Sequence, residues 1–144
     1  MQKPAYQKNL FPHWTTQTIR FRDLDPLNHV NNAIFNTYYE EARISFILVV
    51  PELAGQMTNG YSFVLANISI SYLKPVTYPA QLLIGSGVKK LGNSSITSFQ
   101  AIYDKESEEL VSTAEASGVW FDLEKQRPSR IPDIENSEKY MVEL

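Results

Sequence analysis

The chain commits its helix-forming residues to one run and then turns almost wholly to strands. Phe35, Tyr38 or Tyr39, Ala42, Phe46 and Val49 recur at steps of three and four. That period marks an amphipathic helix of about 15 residues, ending near Pro51 or Leu53. Tyr61 to Tyr72, Ala80 to Leu91, Ser94 to Tyr103 and Leu110 to Leu123 are then rich in Val, Ile, Thr, Ser and aromatic residues. The stretches LGN and DKESEE stand between them as hairpin connections, and KPVTYPA as a crossover. One helix cannot cover both faces of a parallel sheet. The order therefore predicts an α+β fold, with a five-stranded antiparallel sheet curled around a helix covered on most sides. The far face of that sheet keeps apolar residues, so pairing with a second copy is expected.

The first of the five strands is read upstream of the helix. Ile19 and Phe21 alternate with Thr18, Arg20 and Arg22, which predicts a strand over Trp14 to Asp23, stopped by Asp25-Pro26. Asn32 or Asn36 is the expected helix cap. No repeat or linker divides the 144 residues, so one domain is expected, with an arm over roughly 1–12 and a tail over roughly 125–144 that contains a short helix.

Composition narrows the class. A formal charge of −3 lacks the basic footprint of sequence-independent nucleic-acid binding. With no cysteine there is no disulfide, thiol nucleophile or zinc-finger motif. The N-terminus lacks the apolar core of a signal peptide, and the longest strongly apolar run, Ile44 to Val50, is far too short to span a bilayer. A soluble, cytoplasmic protein without membrane insertion is expected.

The chemistry gathers in RFRDLDPLNHVNN, Arg20 to Asn32. Asp25 stands between a strand and a helix start. A helix start offers unpaired N–H groups and partial positive charge, which polarise a carbonyl and hold an oxyanion. A carboxylate beside it serves as nucleophile or as base for water. Taken alone, the same residues also describe an ordinary Asp-Pro and Asn-rich turn. Asp23, Asp25 and His29 together would be a sparse metal site, with no second ligand cluster elsewhere. Asp23 reads better as a turn residue, and His29 as a hydrogen-bonder that orders the loop. Glu40 and Arg43 have the spacing of a helical ion pair. No phosphate loop or nucleophile elbow is present.

The stretch DLDPLNHVNNAIFNTYYEEAR resembles the D-x-D-x-x-G-H-V-N-N-x-x-Y-x-x-Y-x-E-x-A-R signature of hotdog-fold acyl-CoA thioesterases, the 4-hydroxybenzoyl-CoA thioesterase-like family. The element order over Trp14 to Leu123 and the terminal RPSRIP fit as well. The resemblance implies hydrolysis of a fatty or aromatic acyl-CoA, without metal or other cofactor, in a site between the protomers of a homodimer or homotetramer. Asp25 matches the catalytic carboxylate, the oxyanion donor falls at the backbone N–H of Asn32, and His29 of the same loop is the third catalytic candidate. Val30 and Asn31 would help position the thioester. Tyr38, Phe63 and Tyr72 would line the acyl slot, and Lys89, Lys90 and Asn93 would meet the coenzyme A phosphates. An acyl carrier protein as thioester carrier, or a non-catalytic acyl-binding dimer, remains open. Asn28 replaces the usual Gly and Phe35 the usual Tyr. Asn tolerates left-handed backbone, so the turn survives, while any Tyr hydroxyl contact at 35 is lost.

Overall fold

The computed structural model describes residues 2–144. Six strands and two α-helices follow in the order β1 (His13–Thr18), α1 (Asn32–Leu48), α2 (Pro51–Met57), β2 (Tyr61–Tyr72), β3 (Gln81–Leu91), β4 (Ser95–Asp104), β5 (Leu110–Asp122) and β6 (Arg127–Pro128). The sheet runs β1-β3-β4-β5-β2, antiparallel throughout, with the two-residue β6 added on β5. The five long strands match the expected sheet, and α1 packs into its concave face. Phe35, Tyr38, Tyr39 and Ala42 of α1 bury against Leu82 and Ile84 of β3, Ile102 of β4 and Ala114 of β5.

Two boundaries differ from the sequence pattern. The first strand stops at Thr18, and Phe21–Asp23 form a 3-10 turn instead of its continuation. The cause is Asp23: its carboxylate accepts the Arg20 backbone N–H at 3.1 Å, while its own N–H donates to the Arg20 carbonyl at 2.9 Å. That reciprocal pair winds the chain and turns Phe21 outward, where it is 73% exposed. The helical run is also two helices. α1 ends at Leu48, and Pro51 opens α2 at a first-turn position that suits its missing N–H. The expected cap is displaced by one residue, since the Asn31 side chain accepts from Ala33 N at 2.8 Å. In the single protomer α1 is less covered than its composition suggests: Ile44 is 47% and Leu48 53% exposed. The short helix of the tail is a single 3-10 turn, Ser137–Tyr140.

The convex face is filled by the arm. Leu10 and Phe11 cluster with Phe99, Ala101 and Tyr103, and Tyr6, Trp14 and Val142 pack around them. Gly85 permits this: a Cβ there would run into the Phe11 ring. On the concave side, a cavity of about 340 Å³ opens between the C-terminal half of α1, α2 and the sheet.

Candidate active site

The polar loop is a small hairpin whose stem is an antiparallel bridge between Leu24 and Val30. Asp25 N donates to the His29 carbonyl at 2.8 Å, and Asn28 N to the Asp25 carbonyl at 2.9 Å. Asn28 turns the tip with φ 65°, the left-handed backbone that Asn tolerates. The Val30 N–H reaches the Val76 carbonyl and the Asn31 N–H the Asp23 carbonyl, each at 2.9 Å. The bridge therefore lays Asp25 beside the residues that start α1.

The two aspartates have separate tasks. Asp23 is 1% exposed and receives Tyr38 Oη at 2.5 Å and Arg20 Nη2 at 2.9 Å. Burial opposes its charge, yet the Tyr38 and Arg20 hydrogen bonds outweigh that and hold the carboxyl below the ordinary carboxylate range. Burial first, and the hydrogen bond to Asp23 second, push the Tyr38 hydroxyl well above the usual tyrosine range. Asp25 is only half-buried. Its Oδ1 accepts from Leu27 N at 2.9 Å and, more loosely, His29 N at 3.4 Å. Its Oδ2 has no protein partner among the described residues. That leaves one carboxylate oxygen aimed by an anchored turn and open to a reactant. Among the described residues no three of His, Cys, Asp or Glu come together as a metal-binding group.

Asn32 is the first residue of α1, so its N–H is one of the helix's orphan donors, and it has no partner among the described residues. Next to it lies Tyr72, from the far end of β2: its hydroxyl donates to the Asn32 carbonyl at 3.2 Å, and its ring meets Phe35 edge-on at 5.5 Å. Val30 is buried in the main core, and Tyr38 is held by Asp23. Neither lines the cavity, whereas Phe63 does, packed on Trp120 at 4.8 Å. Lys89 pairs with Glu115 at 3.1 Å, Lys90 is exposed, and the Asn93 carbonyl accepts from Ile131 N.

The Glu40–Arg43 pair does not form. No carboxylate lies within salt-bridge reach of Arg43 among the described residues, and its guanidinium makes a 3.4 Å contact to Gln100 Oε1 on β4. Both residues line the cavity rim instead, and burial lowers the Arg43 pKa. Most cavity residues, such as Val50, Leu53 and Ile96, carry no chemical signature in a sequence. His13 holds Ser45 of α1 at 3.0 Å and stacks on Phe46, a tie between β1 and the helix. No local pattern announces it, because the partners are far apart in the chain.

The model of the thioesterase-like superfamily matches residues 19–135, and the chain belongs to that superfamily. Its fold is the hotdog fold. It is 29% identical over 109 residues to the long-chain acyl-CoA thioesterase FadM of Escherichia coli (strain K12), across 76% of this chain and 83% of that one. The crystal structure of the probable thioesterase YbaW from Escherichia coli superposes with a TM-score of 0.78 at 27% identity, covering 90% of this chain and 98% of that one. A thioesterase from Thermus thermophilus, solved with coenzyme A and Zn, gives a TM-score of 0.73 at 31% identity, covering 90% and 97%.

Proposed function

We propose that the protein hydrolyses acyl-CoA thioesters in a site assembled from two copies of the chain. It is an acyl-CoA thioesterase: the superfamily and the likeness to FadM support this. The thioester carbonyl oxygen lies on the Asn32 N–H, where the helix start stabilises developing negative charge. The free oxygen of Asp25 either takes a proton from the attacking water or attacks the carbonyl itself. In the first route water's oxygen bonds to the acyl carbon as the C–S bond breaks. In the second an acyl–Asp25 anhydride forms as the C–S bond breaks, and water then cleaves it and restores the carboxylate. In both, the sulfur takes up the proton given up by water and leaves as coenzyme A thiol beside the free acid. Asp23, Tyr38 and Arg20 hold the loop, and His29 keeps its backbone shape.

The observation that carries the shared site is the free edge of β2. Among the described residues β2 pairs only with β5, leaving 12 residues of strand edge unpaired. Exposed edges of that length invite a second strand. Near its start, Phe63 and Leu65 border the apolar cavity; at its end, Tyr72 touches Asn32. Antiparallel pairing of two such strands about a two-fold axis sets the start of one against the end of the other. Each cavity then opens beside the partner's Asp25 and Asn32. Exposed Val64 and Leu65 on this edge, and Ile44 on the adjoining helix face, gain cover in the same contact.

A panel of acyl-CoAs assayed for released thiol tests the reading, with wild type and Asp25→Asn in parallel. Asn keeps the oxygen that accepts the Leu27 N–H, so the loop persists while the chemistry goes. Turnover by wild type and its loss in the variant are expected. A wild type inert towards every acyl-CoA, or a fully active variant, overturns the reading.

A further inference from the structure

The far wall of the cavity is built by residues outside the superfamily match. The match ends at residue 135, yet Ser137, Tyr140 and Met141 line the cavity. Strand β1 leaves β3 at the pair His13–Ser86, so the β3 edge beyond Ser86 has no β1 neighbour. The tail takes that place. Met141 bridges Val88 in parallel, and Val142 N donates to the Val88 carbonyl at 2.9 Å.

Side chains on an extended segment alternate between faces, and this one uses both. Met141 faces the cavity, whereas Val142 joins the arm's cluster on the convex side. Glu143 N donates to the Leu10 carbonyl at 3.0 Å, tying the tail to the arm. Tyr140 packs edge-on against Phe46 of α1 at 6.2 Å, and Glu52 of α2 accepts the Glu135 N–H at 2.9 Å. The tail thus runs as a strap from α2 to the arm. The cavity extends beneath it from the β2 edge (Phe63, Leu65), across β5 and β4, to Val88 and Leu91 of β3.

We propose that this strap, residues 137–142, is the stop that sets the longest acyl chain the enzyme accepts. The inference rests on the reading of the cavity as the acyl site. A chain that enters at the β2 edge meets Tyr140 and Met141 last. Each added methylene is favourable while the cavity has room and strongly unfavourable once the wall must move. The relatives' family core supplies the chemistry, and this chain's own tail supplies the length limit.

The test uses straight-chain acyl-CoAs from butanoyl to octadecanoyl, with binding of the corresponding free fatty acids measured alongside. Tyr140→Ala and Met141→Ala enlarge the far end and should raise kcat/KM for chains just past the wild-type cut-off by about tenfold or more. Met141→Trp fills it and should move the cut-off to shorter chains. Gly87→Ala reaches the strap from the other face, because a Cβ there would lie 2.9 Å from Val142 Cβ and from Pro12 Cδ. It should loosen the cut-off as Tyr140→Ala does. Misfolding cannot move the limit in opposite directions, so the paired variants separate wall from scaffold. An unchanged cut-off across all four overturns the proposal. If wild type cleaves no acyl-CoA, the hydrolytic reading fails, and the fatty-acid series still decides the strap. A binding limit that shifts in both directions upholds it; one that stays fixed, or no binding at any length, overturns it.

Discussion

The two ends of α1 are built for opposite purposes. At its start the chain spends polar groups: Asn31 caps the helix, Asp25 shapes the loop, and Asn32 leaves an N–H free. At its end it is apolar, with Phe46, Ile47, Val50 and Leu53 around a cavity of about 340 Å³. The helix between them has 17 residues, about 25 Å at the α-helical rise. We propose that an acyl chain seated in one protomer's cavity therefore presents its thioester to the partner's carboxylate. On that reading chemistry and chain recognition belong to different copies, joined along β2.

That division fixes what each end should do when altered. Asp25→Asn should cost about a thousandfold in kcat/KM, to a similar extent for every acyl length. Leu53→Trp at the other end should cost about tenfold or more for long chains and little for short ones. Kinetics on a length series check both, and a length-dependent loss in Asp25→Asn would undo the division.

Within the loop, Asp23→Asn separates the buried aspartate from its neighbour. It removes a buried charge-assisted network, so about 2 kcal/mol of stability should go, measured by urea unfolding. The folded Asp23 carboxyl titrates below its ordinary value of 3.8, so its stabilisation is fully present above about pH 4. It disappears as pH falls through the folded pKa, and the variant should lack this part of the acid transition. Wild type and variant losing stability in parallel below pH 4 would contradict the assignment.

Smaller effects follow away from these residues. Asn31→Ala removes one cap hydrogen bond and should cost about 1 kcal/mol, seen as a modest fall in Tm. Lys90→Ala should raise KM for acyl-CoA about two- to fivefold at low salt and less at high salt, since the side chain is an exposed point charge. A KM indifferent to both would remove Lys90 from the coenzyme A surface.

Much of this was legible before the fold was seen. The switch from a helical period at Phe35–Val49 to long strand runs pointed to the sheet and its helix, because both patterns reflect burial on one face. The Asp-Pro loop was visible because its residue types are costly to place without a reason. Asp23 was harder. Its neighbours alternate as a strand does, and only its inward turn onto Arg20 and Tyr38 reveals why the strand stops at Thr18. The cavity was hidden for another reason. Phe63 came only with the family resemblance; Val50, Val88, Ile96 and Met141 come from four separate segments, and each looks like ordinary core. Nothing local distinguishes a residue that fills a core from one that leaves room for a ligand.

The most direct test of the shared site mixes two disabled chains. Asp25→Asn keeps the cavity and loses the carboxylate; a cavity-filling variant such as Leu53→Trp keeps the carboxylate and loses the long-chain slot. Co-expressed in equal amounts with separate tags, and assayed on a long-chain acyl-CoA, they form mixed dimers in which one site has both intact parts. Random pairing predicts recovery of about a quarter of wild-type activity, carried by the doubly tagged species. A mixed dimer no more active than its two parents would contradict the account, because it would mean that Asp25 and the acyl cavity serve the same site within one chain.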